Sequence, residues 1–207
     1  HRDLHSFPTR RSSDLIKQSN FLSKNLKNLF YNPSKIICCA AIILSGMIFK
    51  ENNSNFKFGI KELEKIIKNY FDEDGFPKSR NPEEVFICIK YLVLIREWFK
   101  EAQKPIPDFL NEIIYKCGSC YAMLSCANKQ FPLFNGATEI NHKDYDTFLK
   151  TLKYKFNNKK HEIADFVKIK KKNSNFLLIA ETLHLIILQN IIKRVVYHLN
   201  LSQINKR

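Results

Sequence analysis

Apolar residues recur at helical spacing along almost the whole chain. Phe21, Leu22, Leu26, Leu29 and Phe30 predict a short first helix. Asn32-Pro33 then supplies a cap followed by proline at the first helical position. Ile36 to Phe49 is nearly all apolar (Ile36, Ile37, Ala40, Ile43, Leu44, Met47, Ile48), which predicts a buried helix. It is well short of the ~20 residues that a bilayer span needs. Asn52 to Asn55 reads as a polar turn. Over Phe58–Phe71, the residues Ile60, Leu63, Ile66, Ile67 and Tyr70 fall on one face, with Lys and Glu opposite. Asp72-Glu73-Asp74-Gly75 and Phe76-Pro77 break that helix. Asn81-Pro82-Glu83-Glu84 is an N-cap with carboxylates in the first turn, opening a helix to about Glu101 through Val85, Ile89, Leu92, Ile95 and Phe99. After Pro105 and Pro107, Asp108 opens another helix that reaches about Ala127. Gln130 to Ile140 is a loop, and a short helix follows over Asp144–Leu152. No strand pattern stands out before residue 165. Long antiparallel helices with short connections predict an all-α fold, either a bundle or a helical toroid.

Two segments change that picture at the ends. His1 to Leu15 contains HSFPTRRSSDL, which back-translates in frame to a common short-read sequencing adapter. Residues 1–15 are therefore expected to be an adapter-derived artefact without structure, excluded from the fold. From Asn173 the character shifts again. Phe176 to Leu199 is apolar-rich with Glu181, Lys193 and Arg194 inside, a poor membrane span because of those charges. Lys170, Lys171, Lys172 and Asn173 all use codons beginning AA, and suitable codons read two bases later give FEFFIDCGNPP. Residues 161–207 are accordingly expected to be a frameshifted tail, helical if taken literally, and 16–160 the folded helical domain.

The formal charge is +14, and the first fifteen residues contribute one of those charges (Arg2, Arg10 and Arg11 against Asp3 and Asp14). The lysines are spread along the chain apart from Lys168, Lys170, Lys171 and Lys172, unlike the one-sided patch of a nucleic-acid-binding domain. No nucleic-acid partner is expected, and none is expected in a membrane. Cys117-Gly-Ser-Cys120 has redox or zinc spacing, but no second C-x-x-C or close His pair completes a zinc site. The reading is small residues packed on a buried helix face, with no metal and no cofactor.

Two motifs carry a resemblance. Asp74-Gly75-Phe76-Pro77-Lys78-Ser79-Arg80-Asn81-Pro82 resembles D-G-G-H-x-x-R-[SN]-P, and Phe131-Pro132-Leu133-Phe134-Asn135-Gly136 resembles P-L-F-N-[DG]. Their order and spacing among the helices resemble the helical domain of the heparinase II/III family of polysaccharide lyases over about Asn32 to Phe156. The resemblance implies part of an incomplete α/α toroid and an acidic polysaccharide as partner. It further implies a C-terminal β-sandwich missing from the translated chain, and a periplasmic setting. Such lyases act by β-elimination: a uronate carboxylate is neutralised, a base removes the α-proton, and an acid protonates the leaving oxygen. Here the expected N-H-x-x-E is Asn32-Pro33-Ser34-Lys35-Ile36, the motif histidine is Pro77, and the tyrosine after the motif proline is Glu84. The chain as translated is thus expected to be inactive, either a fragment of a divergent lyase or a non-catalytic domain that binds an anionic glycan or a partner protein.

The candidate substrate-binding residues are Asn32, Arg80 and Asn135. Arg80 has two readings, a bidentate clamp on a carboxylate or an ion pair to Asp72, Asp74 or Glu84. Asn135 either presents its amide to substrate or makes an Asn-Gly turn. Asn32 is either a helix cap or a carboxylate neutraliser. His142 and Tyr145 are the candidate catalytic residues. Trp98 and Phe99 at a helix end read as core, with an aromatic subsite for sugar stacking as the alternative.

Overall fold

The computed structural model describes residues 6–49, 53–125, 132–138, 142–158, 162–164, 166–171 and 174–179. The chain divides into a unit over His1–Asn158 and a second over Lys159–Arg207. The first unit is all-α. Its described residues form six helices that pack on one another: α1 (Ser6–Asn25), α2 (Pro33–Ile48), α3 (Asn53–Tyr70), α4 (Pro82–Glu101), α5 (Asp108–Leu124) and α6 (His142–Thr151). A 3-10 turn, Leu26–Asn28, follows α1.

The centre of the unit is α2 against α3 and α4, with α5 and α6 added to the far side of α4. The side chains of Ile36, Ile42, Ile43, Val85, Phe86, Ile89, Leu92 and Ile95 are fully buried. Two glycines set how closely α2 and α3 approach. A Cβ on Gly46 would strike the backbone of Phe56, and one on Gly59 would come within 2.7 Å of Ile43 Cγ1. Such a contact is open only to residues without a side chain.

Several expectations about boundaries are corrected. The first helix does not run through Phe30: α1 stops at Asn25, the backbone tightens to 3-10, and only Leu26 of that turn is buried. Phe21, Leu29 and Phe30 are exposed. The helix also begins at Ser6, inside the segment expected to lack structure. Its later turns pack on α2 and α3, and once a helix is nucleated each added residue costs little.

The polar turn expected at Asn52–Asn55 is instead the first turn of α3. Asn55 is buried, its amide donating to Ser19 Oγ (3.1 Å) and Asn20 Oδ1 (2.8 Å) while its carbonyl oxygen accepts from Ser23 Oγ (3.3 Å). These bonds satisfy a polar group that would otherwise be costly to bury and fix α1 on α3. Trp98 is only half-buried, whereas Phe99 is core as expected.

The second unit holds an antiparallel meander of β1 (Glu162–Ile163), β2 (Phe166–Lys171) and β3 (Ser174–Ile179), in that spatial order. Lys171 pairs with Ser174 and Phe166 with Ile179 across the hairpin. Strand structure therefore begins before residue 165, and Ser174–Ile179, expected to be helical in this frame, is a strand. Phe166-Val-Lys-Ile-Lys alternates with period two, and Phe176 to Ile179 offers it a β-prone partner. Residues 180–207 of the expected tail lie outside the described residues.

Candidate functional site

The D-G segment folds into a tight reversal between α3 and α4. Asp72 N–H donates to Phe76 O (2.9 Å), Gly75 N–H to Asp72 O (3.1 Å) and Lys78 N–H to Tyr70 O (2.9 Å), with Phe71 bridged to Pro77. The Asp72 carboxylate accepts from Phe76 N–H at 2.8 Å and from Arg80 Nη1. Gly75 has φ +83°, and a Cβ there would collide with Lys116 Cβ and stand 2.9 Å from Cys117 N on α5. The glycine of the motif is thus required twice, by its left-handed backbone and by the close passage of α5. Cys120 Sγ donates to Asp74 O (3.4 Å) and Cys117 Sγ to Val85 O (3.7 Å). Both thiols are buried, and burial pushes both well above the ordinary thiol range. The C-x-x-C pair therefore packs α5 against the turn and α4. Cys126 lies outside the described residues. Among the described residues no group of three or more His, Cys, Asp or Glu is placed to hold a metal ion.

Arg80 is engaged within the turn. Its guanidinium pairs with Asp72, and its backbone has φ +58°, an uncommon conformation for a side chain of this size. Asn81 caps α4 through Oδ1, which accepts from Glu83 N–H at 2.8 Å. Glu84, standing where a tyrosine was expected, accepts from Ser79 Oγ and from the hydroxyl of Tyr70. A tyrosine thus does reach this position, from α3 rather than α4. Burial, with smaller contributions from Cys88 and Glu84, holds its hydroxyl strongly protonated.

The second motif comes to the first. Asn135 and Gly136 both have positive φ (+49° and +81°), and Ala137 N–H closes the turn on Phe134 O at 2.9 Å. Positive φ at both central residues is the signature of a type I′ turn, in which Asn-Gly is favoured. The Asn135 side chain then donates from Nδ2 to Arg80 O (3.1 Å). Two bonds from Thr138, N–H at 2.8 Å and Oγ1 at 2.9 Å, end on Glu83 Oε2. Segments 55 residues apart in sequence are stitched together at the start of α4.

Tyr145 lies beside this junction. Its ring meets Phe86 edge-on with centroids 5.4 Å apart, and Lys90 Nζ lies 5.9 Å from its centroid. Burial first, then the charge of Glu83 and the neighbouring Tyr91 and Asp144, raise its hydroxyl above the ordinary phenol range. His142 is the first residue of α6, and its side chain is outside what is described.

Asn32 does not join the site. It stands before α2 in extended conformation (φ −150°, ψ 174°) with no capping bond from its side chain, so the expected cap is not made. Lys35 N–H reaches the main-chain oxygen of Asn32 instead (3.1 Å), and Oδ1 is buried without a hydrogen-bond partner.

A groove of about 480 Å³ lies between α4 and α6, lined by Leu94, Glu97, Trp98, Glu101, Asp144 and Phe148 among others. Glu97 is held at its edge by Tyr154 (2.5 Å) and Lys100 (2.6 Å). Burial pushes the Glu97 carboxyl up, but the bonds from Lys100 and Tyr154 and the charges of Lys100 and Arg96 outweigh it and leave it below the usual range. Sequence reasoning assigned no role to Tyr70, whose hydroxyl reaches Glu84, or to Lys90, which lies beside the Tyr145 ring. Only Lys90 had a signal, its seven-residue spacing from Glu83. Among the described residues no helix is long and apolar enough to cross a membrane.

Compared with known protein families, curated proteins and solved structures, the chain matches none.

Proposed function

We propose that the helical unit is the polysaccharide-recognising part of a heparinase II/III-like lyase, and that a uronate-containing chain lies along the face formed by the D-G turn, the Asn135 loop and Tyr145. One observation carries this reading. The two segments on which the resemblance rests meet directly, through the Asn135–Arg80 and Thr138–Glu83 hydrogen bonds. Over residues 1–158 lysine and arginine outnumber aspartate and glutamate by 24 to 17, an excess that favours an acidic polymer over a neutral one.

The elimination step belongs to the larger protein that the resemblance implies. Tyr145 has one property of its acid, a phenol kept protonated by its surroundings, as donation to a leaving oxygen requires. Arg80 and Asn135, the substrate-binding candidates, are engaged with Asp72 and with each other. That engagement also favours a second reading, a non-catalytic domain for an anionic glycan or a partner protein.

Titration of the full chain with acidic polysaccharides, followed calorimetrically and by ultraviolet absorbance, tests both parts. Binding without the absorbance of an unsaturated uronate is the expected result. Absence of binding to every acidic polymer overturns the proposal, and steady product formation overturns the binding-only role.

A further inference from the structure

Large apolar side chains are exposed at eight described positions, and four of them, Phe21, Leu29, Phe30 and Tyr31, fall within eleven residues where α1 hands over to α2. Single exposed apolar residues need no explanation, but a concentration of this kind marks a contact surface. Phe30 is 86% exposed. The loop that carries it is nevertheless held in place. Leu29 N–H closes the 3-10 turn on Leu26 O (3.3 Å), and Leu26 is fully buried. Lys35, buried in the first turn of α2, donates from Nζ to Leu29 O (3.1 Å), and its ammonium lies 4.2 Å from the centroid of the Tyr31 ring. The backbone is thus anchored on both sides of Phe30 while that side chain stays in solvent.

The charge around the loop has one sign. No Asp or Glu occurs between Asp14 and Glu51, whereas Lys17, Lys24, Lys27, Lys35 and Lys50 do. Lys24 and Lys27 are exposed and lie within six residues of Phe30. Phenylalanine and leucine give a sugar chain no hydrogen bond. An anionic bilayer surface suits the combination: apolar side chains enter the boundary between headgroups and acyl chains, a tyrosine sits at headgroup level, and lysines meet the phosphates.

We propose that this end of the helical unit is a docking surface for an anionic lipid bilayer, with Leu29-Phe30-Tyr31 inserted at the headgroup boundary and Lys24 and Lys27 against the phosphates. The expectation of no membrane partner concerns a span, and this is attachment at the surface. The proposal does not depend on the function proposed above.

The test is flotation of the full chain with vesicles of phosphatidylcholine alone and of an equal mixture with phosphatidylglycerol. Binding to the mixed vesicles only, weakened by salt, is expected. Lys24→Gln with Lys27→Gln should weaken it about thirtyfold, and Phe30→Ser about tenfold or more. Lys61→Gln with Lys65→Gln removes the same charge from exposed positions of α3 and should bind as wild type. Circular dichroism checks that each variant folds, and Phe30 lies outside the core. Phe30→Trp should keep the binding, and the emission it adds to that of Trp98 should shift to the blue on mixed vesicles. No binding to mixed vesicles, equal binding to both lipids, undiminished binding by Phe30→Ser, or no shift in Phe30→Trp each overturns the proposal. Equal weakening by the two lysine pairs reduces the effect to net charge and overturns it too. Self-association that Phe30→Ser abolishes, without vesicle binding, assigns the loop to a second copy of the chain and overturns it likewise.

Discussion

Replacing Gly75 by alanine tests whether the D-G turn is held by its own backbone or by the helix that passes over it. Gly75 has φ +83°. An L-residue in that region costs roughly 1–2 kcal/mol. The added Cβ would also strike Lys116 Cβ and lie 2.9 Å from Cys117 N. The second atom is helix backbone and has no rotamer by which to withdraw. Overpacking of this kind costs about 1–3 kcal/mol, so the expected loss for Gly75→Ala is about 2–5 kcal/mol. Gly136→Ala is the control. It has nearly the same backbone angle (φ +81°), yet nothing lies within 4 Å of its Cβ, which leaves only the roughly 1–2 kcal/mol of conformational strain. The gain from a stiffer unfolded chain applies to both substitutions and cancels in the comparison. Urea denaturation followed by far-ultraviolet circular dichroism measures each loss. At about 2–4 °C per kcal/mol for a chain of this size, Gly75→Ala should melt about 4–20 °C below wild type and clearly below Gly136→Ala. Equal losses in the two variants would refute the argument that α5 locks the turn.

Three further outcomes are expected. Gly46→Ala should destabilise despite the helix propensity that alanine adds, about 1 kcal/mol, because its Cβ meets the Phe56 backbone; a higher melting temperature would show that α2 and α3 can separate at no cost. Cys39 is pushed up to about 12, and Cys88, Cys117 and Cys120 are likewise raised by burial, so these four should resist a thiol reagent at neutral pH until denaturant is added; rapid native labelling of Cys117 or Cys120 contradicts their packing role. Glu97 is lowered in the folded state, so its contribution is present above the ordinary carboxylate range, about pH 4.3, and is lost as pH falls through the folded value. Glu97→Gln should flatten the acid limb of a stability–pH curve, and a limb as steep as that of wild type rejects the assignment.

The sequence by itself determined the helices and most of their limits. The apolar spacing of α2 to α6 is a local property, and Asn81-Pro82 or Pro107-Asp108 ends or starts a helix through its own backbone chemistry. The two motif loops were legible too, as Asp-Gly and Asn-Gly breaks. Their meeting was not. Arg80 and Asn135 each occupy a left-handed conformation and are joined by one hydrogen bond, and nothing in either segment encodes the direction from which the other approaches. Of the two readings of Arg80, clamp or ion pair, the ion pair is formed, to Asp72 across the turn. The ambiguity of Asn32 ended differently, with a side chain that neither caps nor reaches the junction.

Tertiary structure also decided which polar residues are buried. Asn55 looked like a turn residue until Ser19, Asn20 and Ser23 of α1 supplied its partners. Lys90 looked like any surface lysine until α6 set Tyr145 beside it. Periodicity reports which face of a helix avoids water. A polar side chain acquires its role only from the neighbour that meets it, and that neighbour is fixed by how distant elements pack.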